Sequence, residues 1–371
     1  MGTLALNLHK VRLTLGSDNE GFLAYARQHL AALLSLSVEV PNIRVCLYWD
    51  QELIAREKAK KPRGFAAAAA LLQSSSQRTS VDGCQRLGRR LFLGDNRVIQ
   101  TEILGLPGLQ LQTSLAGANL SVEGAFRPPS KRMDLWLRLG GQTKRERVYA
   151  ALIYYLVYFP LLWYLERTRR WYPLHASAVA WPQGAVVLAG LGGIGKSTLT
   201  LAFLRDPDAR LLSENLILHD QERVYAFPEP IHLDDRSRKM LTDLDGRLES
   251  TGRMFSHNRH SYEVSASARA PSSVPRLFCF LRQGKELDLN RMSAQKTLRV
   301  VMSSDVLARE VNEYAQQAAA LNFLSPMTDS FQQRIDALRR ILDQTTCYVL
   351  TVRPGEDLSQ VVCLVREKLE R

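Results

Sequence analysis

The chain has 371 residues, 46% of them hydrophobic and 23% charged, which is the make-up of a globular protein and excludes collagen-like, wholly disordered and disulfide-stapled miniature classes. At roughly 100 to 200 residues per domain the length predicts two folded units, and no period of about 20 to 50 residues marks a solenoid or propeller. The formal charge of +12 is uneven: residues 1–144 hold 19 Lys/Arg against 11 Asp/Glu, and residues 145–371 hold 30 against 26. Such an excess attracts anionic partners in general, or simply keeps the surface solvated.

Leu4, Leu6, Leu8, Val11, Leu13 and Leu15 predict a strand, Asn19 to Leu34 a helix, and Ile43 to Trp49 a second strand. Met1 to Leu15 lacks the basic start, continuous apolar core and small-residue cleavage site of a secretory signal. From Arg56 to Arg90 the composition turns to Lys/Arg, an alanine run (Ala66 to Ala70) and serines (Ser74 to Ser76), which predicts a poorly ordered insertion. The basic segment Arg56 to Arg97 lacks the aromatic stacking set and the fold motif of a nucleic-acid binder, which argues against nucleic acid as a partner. Leu91 to Leu139 breaks into short apolar segments at Gly94, Gly105, Gly108, Gly117, Gly124 and Pro128-Pro129, the pattern of an antiparallel meander. Residues 1–144 thus read as a smaller α+β domain.

Val148 to Leu165 then runs 18 residues without a charge, the lower limit for crossing a bilayer. Pro160, five tyrosines (Tyr149, Tyr154, Tyr155, Tyr158, Tyr164) and basic residues on both flanks favour a buried core helix over a membrane contact. The five cysteines are odd in number, far apart and without metal-ligand spacing, so neither a disulfide framework nor a zinc site is read and a cytoplasmic location is expected.

His175 to Ala180 and Ala185 to Ala189 are short apolar runs joined across Pro182-Gln183-Gly184, a hairpin pattern. The second run leads into Gly190-Leu191-Gly192-Gly193-Ile194-Gly195-Lys196-Ser197, a complete G-x-x-x-x-G-K-[ST] phosphate loop followed by a helix pattern from Thr198. The glycines let successive backbone N–H groups point inward at a phosphate, the helix N-terminus adds positive potential, Lys196 neutralises charge, and the Ser197 hydroxyl is a ligand for Mg²⁺. Downstream, Leu211 to Leu218 reads as a buried strand interrupted by Glu214 and Asn215, a polar pair that is costly in a core unless a ligand or hydrogen-bond partners satisfy it. His175 is the third polar candidate, and taken alone it reads equally as a satisfied histidine. In a polar segment farther on, Arg253, His257, Arg259 and His260 read as a flap over an anionic group or as an ordinary surface loop. Glu229 lies between Pro228 and Pro230 and reads as a metal contact or a rigid turn. Ser304 to Phe323 and Asp329 to Leu342 predict helices, followed by the strand Cys347 to Val352 and a final helix.

Leu174-His175-Ala-Ser-Ala-Val, the loop Gly190 to Ser197 and Leu212-Ser213-Glu214-Asn215, in this order and spacing, resemble the core of the HPr kinase/phosphorylase family, and more closely its HPr-kinase-related branch. Tyr225 to Ile231 and Arg276 to Arg282 add to the likeness, which covers about Tyr172 to Met292. The resemblance implies an α/β fold akin to phosphoenolpyruvate carboxykinase, with residues 145–371 as a P-loop kinase domain and residues 1–144 as an accessory or substrate-recognition domain. It also implies ATP and Mg²⁺ as cofactors, a serine hydroxyl on a protein or peptide as acceptor, and a homo-oligomer. On it, Gly190 to Thr198 hold the nucleotide phosphates, Ser197, Glu214 and Asn215 face Mg²⁺, Glu214 is the catalytic acid/base, and His175 hydrogen-bonds the Glu214/Asn215 pair. The family's usual pair is Asp-Asp, so Glu214 is one methylene longer and Asn215 is neutral. Two other readings stay open on the same residues: a kinase of a small hydroxylated metabolite such as free serine, and a nucleotide-binding regulatory protein without transfer.

Overall fold

In a computed structural model, which describes residues 1–36, 40–49, 53, 83–87, 90–103, 105–128, 130, 141–241, 244, 246–256, 259–327 and 329–370, the first apolar alternation folds as two strands, β1 (Gly2–Leu8) and β2 (Val11–Ser17). The single predicted strand is therefore a hairpin. The step from Leu8 to Val11 breaks the two-residue period, and there His9 and Lys10 take φ of 49° and 68° so that β1 and β2 pair antiparallel. Asn19 accepts a hydrogen bond from the Phe22 N–H at 2.9 Å and caps the helix Glu20–His29. The chain continues through β3 (Ile43–Trp49), β4 (Gln85–Arg86), β5 (Leu91–Gly94), β6 (Arg97–Gln100), β7 (Leu109–Ala116) and β8 (Asn119–Phe126). They form one sheet in the order β1-β2-β3-β8-β7-β6-β5-β4. Its meander half, β4 to β8, is antiparallel as predicted. Most of the insertion predicted over Arg56 to Arg90 lies outside the described residues, as do residues 131–140.

The long apolar segment forms one continuous helical rod: Gly141–Ile153, a wider π-turn at Tyr154–Tyr158, then Phe159–Arg169. Pro160 has no N–H to donate to the previous turn and its ring crowds that carbonyl. The rod widens just upstream, where the Phe159 N–H reaches back five residues to the Tyr154 carbonyl. By length and composition, Lys144–Arg169 is apolar enough to cross a membrane, but 89% of its most apolar window is buried inside the protein. Tyr158, Phe159 and Trp163 are at most 2% exposed and share one core with β1, β2, β3, β7 and β8 and with Leu218, Phe227 and Tyr314. Each such fully buried ring contributes about 2 to 3 kcal/mol.

Beyond the rod lie β9 (Tyr172–Leu174), β10 (Ala176–Trp181), β11 (Gly184–Ala189), β12 (Arg210–Ser213), β13 (Ile217–His219), β14 (Val224–Ala226), β15 (Ile231–Asp234), β16 (Leu248–Ser256), β17 (Arg259–Val264), β18 (Ser272–Ser273), β19 (Pro275–Gln283), β20 (Asp288–Arg291) and β21 (Thr346–Val352). They make a six-stranded sheet β12-β10-β11-β19-β21-β20, a four-stranded sheet β18-β14-β13-β9 and a three-stranded sheet β15-β17-β16. The protein is thus mixed α/β with several sheets. Because β10 is antiparallel to both β11 and β12, the latter two run the same way, with Ala176 opposite Ala189 and Ala178 opposite Ser213. The start of β10, the end of β11 and the end of β12 therefore meet on one edge of the six-stranded sheet.

The first predicted C-terminal helix, Ser304 to Phe323, is corrected: the chain forms Ala294–Val306 and Arg309–Leu321 with a break at Leu307 and Ala308. Buried Val301, Ala308 and Val311 carry the apolar pattern across the break and hide it. Ser330–Asp343 and Leu358–Leu369 follow as expected.

His219 is 1% exposed and His175 8%. Burial lowers the pKa of each to about 4, against about 6.5 in an unfolded chain. Both are neutral in the fold, so between pH 6.5 and 4 the unfolded chain binds the extra protons and stability falls with pH, by about 3 kcal/mol per histidine. Glu229, whose carboxyl is held up at about 7, works in the opposite sense over much of the same range, so the histidine contribution is read by difference. We expect His219→Gln to lose less stability than wild type as pH falls from about 6.5 to about 4, and an identical pH dependence of Tm in the two proteins contradicts the assignment.

Candidate functional site

At the end of β11 the chain leaves the sheet at Gly190, whose φ is 148°, and a Cβ placed there would stand 2.8 Å from the Leu281 carbonyl oxygen of β19. Only glycine fits. Gly195, at φ 103° with open space around it, is the last residue before the helix Lys196–Phe203 and offers no side-chain cap. The helix's first amides are thereby left to an outside acceptor, and the helix end carries partial positive charge. Lys196 is 6% exposed. Its Nζ donates to the carbonyl oxygens of Gly190 at 2.8 Å and Leu191 at 3.1 Å, folding back across the loop. Burial lowers its pKa to about 8, with Glu214 and Glu310 acting in the opposite direction. Thr198 Oγ1 lies 3.1 Å from Ser237 Oγ.

Glu214 and Asn215 are not inside a strand, which corrects the reading of Leu211 to Leu218 as one element. β12 ends at Ser213 and β13 starts at Ile217 in a different sheet. The polar pair occupies the bend where the chain passes from one sheet to the other, half-buried rather than in the core. The bend lies on the sheet edge that also carries Gly190, and Ser197 Oγ donates a hydrogen bond to Glu214 Oε1. Burial raises the Glu214 pKa, opposed by the Ser197 hydrogen bond and by the positive charges of Lys196 and Arg259.

Ser213 ties this bend to the Pro228-Glu229-Pro230 segment: its Oγ accepts from the Phe227 N–H at 2.6 Å and lies 3.1 Å from the Phe227 carbonyl oxygen. Glu229 is thereby brought to Asn215, whose Nδ2 donates to Glu229 Oε2 at 3.2 Å. The other oxygen, Oε1, accepts from the Tyr154 hydroxyl at 2.5 Å. Burial, with the negative charges of Glu310 and Glu214, holds the Glu229 carboxyl up at about 7 against the two hydrogen bonds.

His175 lies between β9 and β10, on the same edge, but it does not hydrogen-bond Glu214 or Asn215 as expected. Its main-chain N–H donates to Asp305 Oδ1 at 2.8 Å, and its buried ring Nδ1 has no hydrogen-bond partner. Lys196 reinforces the burial effect on its pKa, so the ring is a neutral neighbour of the loop. Asp305 is held in turn by an ion pair with Arg334. Among the predicted flap residues, Arg259 and His260 open β17, and His260 Nε2 lies 3.4 Å from Asp235 Oδ1. His257 and the Arg253 side chain lie outside the described residues.

Two residues close to the site went unread in the sequence. Tyr154 is hidden in an apolar run, and Glu310 starts an amphipathic helix, yet its charge acts on Lys196, Glu214 and Glu229. A carboxylate at a helix start is ordinary capping chemistry, so nothing in the pattern marks it. Among the described residues no three or more His, Cys, Asp and Glu side chains converge on a metal position. The donors present, the Ser197 hydroxyl and the Glu214 carboxylate, suit Mg²⁺, which is usually held by one or two protein ligands together with nucleotide phosphates and water. The open turn at Gly195 and the uncapped helix suit a phosphate chain.

No family model matches this sequence. No curated protein matches it either. Among solved structures, the HPr(Ser) kinase/phosphatase from Coxiella burnetii is similar to this chain at 10% identity and a TM-score of 0.26, over 53% of this chain and 94% of that one. Similarity at that TM-score does not establish a shared fold.

Proposed function

We propose that the protein is an ATP- and Mg²⁺-dependent kinase that phosphorylates a serine hydroxyl on a protein or peptide, with a core of the HPr kinase and phosphoenolpyruvate carboxykinase type. The observation that carries this reading is the meeting, on one sheet edge, of the glycine loop, the buried Lys196 and the Ser197–Glu214 hydrogen bond. In this reading residues 145–371 are the catalytic part and residues 1–144 an accessory or substrate-recognition part.

The loop amides and Lys196 bind and orient the phosphates, which is most of what phosphoryl transfer asks of a protein. Ser197, Glu214 and the Asn215 carbonyl oxygen would hold Mg²⁺, and the ion supplies charge neutralisation on the transferred group. Glu214, its pKa raised by burial, takes the acceptor's hydroxyl proton at Oε2, the oxygen not used by Ser197. His175 contributes no proton near neutral pH. It packs beside Lys196 as a neutral group, and its main-chain bond to Asp305 fixes the start of β10.

The test is incubation with ATP, Mg²⁺ and serine-containing peptides or free serine, followed by intact-mass analysis. Addition of one phosphoryl group to a peptide is the expected result. Transfer to free serine but to no peptide moves the acceptor to small metabolites, and nucleotide binding without transfer to anything overturns the kinase reading.

A further inference from the structure

Asn215 stands beside a carboxylate, Glu229, that comes from another segment and is itself held by a residue of the long buried rod. Glu229 receives the Tyr154 hydroxyl on Oε1 and the Asn215 Nδ2 on Oε2, which holds the Asn215 amide with Nδ2 toward Glu229 and Oδ1 away from it. An aspartate at position 215 would instead face Glu229 with two acceptors and like charge. The neutral asparagine and Glu229 therefore belong together as a set.

The third member is Tyr154. Its hydroxyl occupies Glu229 Oε1, leaving Oε2 for Asn215. Tyr154 opens the π-turn whose wide step answers Pro160. Its ring is fixed against Tyr158 and Phe159, with centroids 5.1 Å and 5.7 Å away. The backbone irregularity of the rod thus bears, through two hydrogen bonds, on the orientation of one amide at the site.

We infer that Tyr154 and Glu229 are positioning residues that hold the Asn215 amide with its carbonyl oxygen turned toward the metal-bearing phosphates of a bound nucleotide. The inference rests on the proposed nucleotide site and adds to it the source of the metal response. It also separates Glu229 from a direct metal ligand: the carboxylate acts by accepting from Asn215, so an amide in its place keeps the function.

The test is calorimetric titration of ATP in Mg²⁺ and in EDTA, with wild type, Tyr154→Phe, Glu229→Ala and Glu229→Gln. The readout is the ratio of the two dissociation constants, which a general loss of folded protein does not change. Wild type is expected to bind more tightly in Mg²⁺. Tyr154→Phe and Glu229→Ala are expected to lose about tenfold of that advantage, the scale of one hydrogen bond to a charged group, with binding in EDTA unchanged. Glu229→Gln, with its one amide oxygen accepting from Asn215 and its NH₂ donating to the Tyr154 hydroxyl oxygen, is expected to keep it. Full Mg²⁺ response in Tyr154→Phe or Glu229→Ala overturns the inference while leaving the kinase reading intact. Loss in Glu229→Gln as complete as in Glu229→Ala also overturns it, because charge rather than positioning is then what matters. Wild type that binds ATP without any Mg²⁺ response overturns it as well, and wild type that binds no nucleotide overturns the reading beneath it.

Discussion

Lys196→Ala reduces ATP affinity by at least about 100-fold, the equivalent of about 3 kcal/mol or one to two charge-assisted hydrogen bonds. The ammonium in the unliganded protein spans the loop, bonding the carbonyls of Gly190 and Leu191. It is already desolvated, as its lowered pKa records, so little further dehydration opposes its turning to a phosphate oxygen. The same burial means that removing the charge costs the unliganded fold little, and the variant's Tm stays close to wild type. Isothermal titration and a thermal melt of the same sample check both halves. Affinity within a few-fold of wild type contradicts the role given to Lys196.

Glu214→Gln leaves ATP binding in EDTA within a few-fold of wild type and, at saturating ATP and Mg²⁺, lowers the transfer rate by about 10² to 10⁴, the usual contribution of a positioned general base. Glutamine keeps an oxygen that accepts from Ser197, so the contact between loop and bend survives. What it lacks is an oxygen able to take the acceptor's proton. Single-turnover transfer in excess enzyme separates this from product release. A variant that transfers at the wild-type rate demotes Glu214 to a tether for Ser197.

The site is legible in the sequence where residue types answer a chemical need that packing does not share. The run Gly190 to Ser197 is of this kind: its glycines face open space or a neighbouring carbonyl, and Lys196 is buried without a carboxylate bonded to it. The hairpin of β10 and β11 was legible through Pro182-Gln183-Gly184, and β21 through the largely apolar run Cys347 to Val352. The placement of Glu214 and Asn215 was harder to read. Leu212 and Leu216 are both buried, and apolar residues flanking a polar pair look alike whether the chain stays in one sheet or crosses to another.

The rest of the site depends on contacts between distant segments, to which local periodicity is blind. Tyr154 lies 75 positions before Glu229, and only the packing of the rod against the core brings them together. Likewise Asp305 reaches the His175 main-chain N–H across 130 positions, and the histidine ring, which the family resemblance placed on the Glu214/Asn215 pair, has no partner at Nδ1. Glu310 acts through its charge, and only the folded helix sets its distance from Lys196 and Glu214.

In the proposed site the backbone amides of the Gly190 loop hold a nucleotide's phosphates. Hydrogen–deuterium exchange with and without saturating ATP and Mg²⁺ reads those amides directly. Slowed exchange is expected in Gly190 to Thr198 and at the Glu214–Asn215 bend, with the eight-stranded sheet β1 to β8 unchanged. Unaltered exchange in Gly190 to Thr198 at saturating ATP, or protection confined to other segments, contradicts it.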